Sequence, residues 1–161
     1  MLEKAINKLF TFKGNRQFSE AEENLISELN GLDNFIADEA FINYTHTELL
    51  AIDKEEKQFL SVMQNGEEYL HKQINFSDVS SYKVNILDRN NEDWLTDYSK
   101  WKKDKKFIKS ISIDLILNDG NEVQYYFLQS ENNDGDKVSS IPVKRAMFSM
   151  EKWDVVLSEI I

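Results

Sequence analysis

The sequence predicts an α+β fold: N-terminal helices, then a run of short antiparallel strands, then one closing helix. Three observations carry this. Leu2, Ala5, Ile6, Leu9 and Phe10 recur at helical spacing. After Thr47 the apolar period falls to two, the spacing of a half-buried strand. At the other end Val143, Met147, Met150, Trp153, Leu157 and Ile160 return every three or four residues, so one wide apolar helix face must lie against something.

In chain order, "LEKAINKLF" reads as a short basic amphipathic helix that Gly14 ends. "SEAE" at Ser19–Glu22 is a capping-box pattern, with Ser19 as N-cap and Glu22 reaching back. Its helix should run to about Asn30, with Gly31 as a left-handed stop. Residues 34–44 give a mixed signal. "ELLAI" and "QFLSVM" around the turn "DKEEK" read as a hairpin, followed by a short strand near Tyr69–Ile74. "YKVNIL" places Tyr82, Val84 and Ile86 on one face. Asp88–Lys106 is charged, contains Trp94 and Trp101, and reads as a long insertion. In "FIKSISIDLILNDGNEVQYYFLQ", keeping the apolar faces together pairs Leu117 with Val123, Leu115 with Tyr125 and Ile113 with Phe127. That register needs a three-residue loop with Gly120 or Asn121 at positive φ. Pro142 suits the first turn of the last helix, where Trp153, Val156, Leu157 and Ile160 are the expected buried anchors.

Length and composition narrow the function classes. At 161 residues with 41% apolar and 12% aromatic side chains, the chain holds enough apolar surface for a core. It has no cysteine, hence no disulfide framework or thiolate nucleophile, and no apolar run of membrane-spanning length. These features favour a cytoplasmic protein. The net charge of −10 comes in blocks. Thirteen acids between Gln17 and Leu70, Glu20, Glu22 and Glu23 among them, face only Lys54 and Lys57. The first sixteen residues are basic, and so is "KWKKDKKFIK" at Lys100–Lys109. Segregated charge points to partner surfaces, and overall acidity argues against general nucleic-acid binding.

"LLAIDKEEKQFLSV", "INFSDVSSYKV", "SISIDLILND" and the terminal "WDVVLSEII" resemble a group of largely uncharacterised bacterial and phage proteins whose module is pleckstrin-homology-like (PH-like). The likeness covers roughly residues 49–86 and 108–161. It implies an antiparallel β-barrel with a C-terminal helix covering one end. The expected organisation is therefore a helical segment over 1–45 and a PH-like domain over 46–161, with the charged insertion at about 88–106. The likeness also implies that "FSDVSSY" is a corner between two strands. Ser77 or Asp78 would there bond backbone N–H groups two or three residues on. Where the family carries a glycine-rich apolar stretch between its fourth and fifth strands, this chain is charged and glycine-free, so no membrane contact is implied there.

Sites of chemistry are weighed against plainer roles. His46 and His71 sit in no metal or nucleophile motif and read as surface or structural residues. "ENNDGDK" superficially suggests a calcium loop. Aligned on Gly135, however, it puts Ile141 where a bidentate Glu is needed. The first hairpin turn, with three acids to two lysines, suits no inositol phosphate. Trp101, Lys102, Lys103, Lys105 and Lys106 could grip nucleic acid or an acidic partner, form a solvated loop whose Trp101 and Phe107 pack on the barrel, or clamp the chain's own acidic N-terminal half. The expectation is a non-enzymatic protein-interaction module without cofactor or metal, whose partner is a protein; a homo-oligomer stays open. The alternative is an acidic inhibitor from a phage or mobile element, a DNA mimic acting on a nucleic-acid enzyme.

Overall fold

A computed structural model describes residues 18–93 and 107–161. The amphipathic helix expected at Leu2–Phe10, its stop at Gly14, and Trp94, Trp101 and Lys100–Lys106 lie outside the described residues. The chain divides into two compact units, Met1–Ser77 and Asp78–Ile161, described in turn.

The first unit opens with helix α1, Glu20–Asn30. Its start is the capping box read from the sequence: Ser19 Oγ accepts from the Glu22 N–H, and Glu22 Oε1 accepts from the Ser19 N–H, both at 3.2 Å. Glu20, Glu22 and Glu23 sit in the first turn, where carboxylates offset the helix dipole. The expected left-handed stop does not form. Gly31 has φ −72°, and its N–H still reaches the Ser27 carbonyl at 3.0 Å, so the chain leaves the helix without positive φ.

Four strands follow as an antiparallel meander in the order β1-β2-β3-β4: Glu39–Ile42, Glu48–Asp53, Gln58–Asn65 and Glu68–Asn75. The sequence missed β1, which has four residues and shows no alternation. The polar-turn hairpin is β2–β3, with Leu50 opposite Ser61 and Ile52 opposite Phe59. Leu25, Ile26 and Leu29 of α1 pack with Ile42, Leu49, Ala51, Leu60 and Val62. These sheet residues share one face, as a period of two requires.

A 3₁₀ turn, Phe76–Asp78, separates β4 from β5, so "FSDVSSY" does join two strands through a turn. In the second unit β5 (Val79–Asp88), β6 (Phe107–Leu117) and β7 (Glu122–Gln129) form an antiparallel sheet, and the two-residue β8 (Asp136–Lys137) pairs with the start of β6. Helix α2, Ile141–Ile160, packs on β6 and β7. It buries Val143, Ala146, Met150, Trp153, Val156 and Leu157, with Trp153 edge-on to Phe127 at 5.4 Å. Ile160, expected among the anchors, is only half-buried because it ends the last turn.

Among the described residues the expected closed barrel is not present. Closure needs every strand to have two partners. Among the described residues β4 pairs only with β3, and β5 only with β6, leaving two separate sheets. The β6–β7 register also differs from expectation by two residues: Leu115 lies opposite Val123 and Ile113 opposite Tyr125. The loop has three residues as expected, but they are Asn118–Gly120, closed by the Leu117 N–H to the Asn121 carbonyl at 2.8 Å. Gly120, at φ 84°, takes the left-handed third position of this loop type. A shift of two keeps every side chain on its face, so the apolar pattern alone does not exclude it.

Candidate partner surface

Carboxylates dominate the first unit, and the fold sorts them into two classes. Residues 18–77 hold thirteen against three lysines, a net charge of −10. Asp53 is buried, accepting from the Ile36 N–H at 2.7 Å and the Glu56 N–H at 2.9 Å. Glu22 is buried in the capping box. Such carboxylates satisfy backbone donors that would otherwise be orphaned. Glu48 lies between the classes: burial pushes its carboxyl above the ordinary range, against the hydrogen bond donated by Ser61 Oγ at 3.0 Å.

Both histidines contact α1 carboxylates. His46, held at φ 57° in the β1–β2 turn, places Nδ1 3.1 Å from Ser19 Oγ and Nε2 3.6 Å from Glu22 Oε1. On β4, His71 Nε2 lies 2.7 Å from Glu28 Oε2. The side chains read as surface or structural residues thus fasten α1 to its sheet at two points.

The exposed carboxylates form the second class, and topology decides which of them share an end of the sheet. In a meander of four strands the β1–β2 and β3–β4 turns lie at one end and the β2–β3 turn at the other. The Ser19–His46 contact brings the start of α1 to the first end. That end gathers exposed Glu20, Glu23, Glu67 and Glu68 with exposed Tyr44, and among the described residues it carries no lysine. The opposite end mixes Glu55 and Glu56 with Lys54 and Lys57.

Of the acids singled out in sequence, Glu20 and Glu23 therefore face solvent at the acidic end, while Glu22 is turned inward. Glu67, Glu68 and Tyr44 were not singled out. Finding them required knowing that β1 exists, because its presence sets which turns share an end. Of the lysines of the basic block only Lys109 is among the described residues. Its ammonium donates to the Asn132 and Asn133 carbonyls, at 2.6 and 3.3 Å, inside the "ENNDGDK" loop.

The second unit's buried carboxylates are also engaged. Asp88 accepts from the Asn90 and Glu92 N–H groups at 2.9 and 3.0 Å. Asp114 accepts from Asn85 Nδ2 and from Ser112 Oγ. Burial, and then the Asp154 carboxylate that accepts its hydrogen bond at 2.8 Å, push the Tyr82 phenol above its ordinary range. Among the described residues no three His, Asp or Glu side chains are grouped to hold a metal ion, and no helix is long and apolar enough to cross a membrane. Comparison with protein-family models, curated proteins and solved structures gives no match.

Proposed function

We propose that the protein is a non-enzymatic, cytoplasmic protein-interaction module whose acidic end in the first unit docks a basic partner protein. The observation that carries this reading is that exposed Glu20, Glu23, Glu67, Glu68 and Tyr44 share one end of the sheet, without a lysine there among the described residues. Like charges on one end of a sheet raise the field there, which steers a cationic partner and speeds its association. An aromatic among them gives contact area at little entropic cost. The absence of catalysis draws support from the buried carboxylates Glu22, Asp53, Asp88 and Asp114. Each already accepts hydrogen bonds that hold its local fold, from backbone amides or, at Asp114, from Asn85 and Ser112. The PH-like reading draws support from the order of elements: a meander of four strands, then a second antiparallel sheet of three strands plus the two-residue β8, then a terminal helix.

The test is a pull-down from lysate at low and high salt, comparing wild type with a Glu20→Lys, Glu23→Lys, Glu67→Lys variant. A partner held by wild type, lost by the variant and released by salt supports the reading. A partner that both proteins hold equally at high salt overturns it. The same acidic end suits a second reading, an inhibitor that mimics DNA. In that case the captured partner is a DNA-binding protein, and added duplex DNA displaces it.

A further inference from the structure

The β4 strand is the edge of its sheet, pairing among the described residues only with β3. Seven of its eight residues are at least partly exposed, Ile74 being the exception. An edge of this kind presents unpaired N–H and C=O groups to another strand. Two large apolar side chains flank it on one face. Leu70, 53% exposed, lies opposite Met63, 44% exposed, and Glu48 lies opposite Met63 in turn.

We infer that β4 pairs with β4 of a second copy of this chain, antiparallel about a two-fold axis at Leu70. The first argument is parity. The Phe76 N–H bonds the Lys57 carbonyl, and residues 57 and 76 are in register, so the even-numbered residues of β4 point their backbone groups at β3. The odd-numbered residues, Tyr69, His71 and Gln73, point theirs outward. Two identical edges then match donors with acceptors only when odd residues face odd and even face even, which puts the axis through a residue.

The second argument is charge. An axis at Lys72 sets two lysines opposite each other, and an axis at His71 sets Lys72 against Leu70. An axis at Leu70 sets Leu70 against Leu70 and Glu68 against Lys72 twice. These fall at the non-hydrogen-bonded positions, where facing side chains approach most closely. Tyr69 and His71 exchange the backbone bonds. The apolar row becomes Met63–Leu70–Leu70–Met63 across the joint. Two copies of so acidic a unit repel. At physiological salt, however, screening over about 8 Å leaves only nearby charges to decide, and those at this edge are of opposite sign.

This inference shares Glu68 with the acidic-end reading, but the two fail separately, because the test variant for that reading leaves Glu68 and Lys72 untouched. The experiment is sedimentation equilibrium of the whole chain over a range of concentrations. Wild type, Glu68→Lys, Lys72→Glu, the double swap, and an equimolar mixture of the two single variants are compared, with circular dichroism checking each fold. The expected result is a wild-type dimer that each single variant weakens by about tenfold or more. The double swap should restore it. So should the mixture of singles, in which a chain with lysine at both positions faces a chain with glutamate at both. A monomer at every concentration overturns the proposal. So does a dimer indifferent to the single variants, or one that neither the swap nor the mixture rescues.

Discussion

The two helices are fastened to their sheets by different chemistry. Helix α1 has polar ties along its length: the capping box, His46 against Ser19 and Glu22, and His71 against Glu28, beside a modest apolar face of Leu25, Ile26 and Leu29. Helix α2 relies on bulk. Six buried side chains centred on Trp153 meet β6 and β7, Tyr82 supplies one polar tie through Asp154, and the N-cap Ser140 makes no side-chain cap bond. The charge balance differs in the same sense, −10 for residues 18–77 against −3 for residues 78–161. Apolar packing depends on how well volume is filled, whereas repulsion within so acidic a unit depends on how far salt screens it. The first unit should therefore respond to solution conditions, and the second to loss of volume.

The strongest way to break this contrast is Trp153→Ala. Removing a fully buried indole should cost about 3–5 kcal/mol, read from urea unfolding followed by circular dichroism, and should destabilise the second unit first by hydrogen exchange. Next is Gly135→Ala. Gly135 has φ 84°, and a Cβ there would sit 2.6 Å from the Ile108 carbonyl oxygen, so the substitution should cost roughly 1–3 kcal/mol in the same measurement. Ser19→Ala strikes the first unit instead. Losing the N-cap acceptor should cost about 1 kcal/mol, with faster exchange of the first-turn amides of α1.

Two milder substitutions sharpen the contrast from the other side. Gly31 has right-handed φ, and a Cβ there would meet nothing nearer than 3.5 Å. Gly31→Ala should thus stabilise by about 0.4–1 kcal/mol through the unfolded chain, opposite in sign to the change at Gly135. The smallest expected effect is at Glu48. Its carboxyl is raised in the folded state, so the folded chain holds that proton more tightly than the unfolded chain. Stability from this group therefore falls as pH rises from the unfolded pKa to the folded one, and stays lost above. Glu48→Gln should raise the melting temperature slightly at neutral pH and leave it unchanged in acid. Equal shifts at both pH values would contradict the assignment.

Much of the local structure was legible in the sequence because it depends on neighbours. The capping box, the β2–β3 hairpin, the loop with Gly120 at positive φ, and most of the buried face of α2 all follow from spacing and turn chemistry. What escaped depends on distant partners. β1 is too short to show a period. Alternation fixes only the parity of a register, so the β6–β7 pairing could slide by two. Strand order does not say whether a sheet closes. The acidic block was visible as composition. Its division into inward Glu22 and Asp53 and outward Glu20, Glu23, Glu67 and Glu68 was not, since that follows from which turns share an end of the sheet.

The loop at 130–135 has a further consequence. Backbone carbonyls that converge on one point commonly require a dissolved cation to hold them, which makes such loops sensitive to the ionic composition of their surroundings. Here the cation is a side chain: the Lys109 ammonium, carried on β6, takes up the Asn132 and Asn133 carbonyls. Its counter-charge is thus inherited with the chain rather than drawn from solution, and the shape of the loop travels with the gene product into whatever milieu it enters.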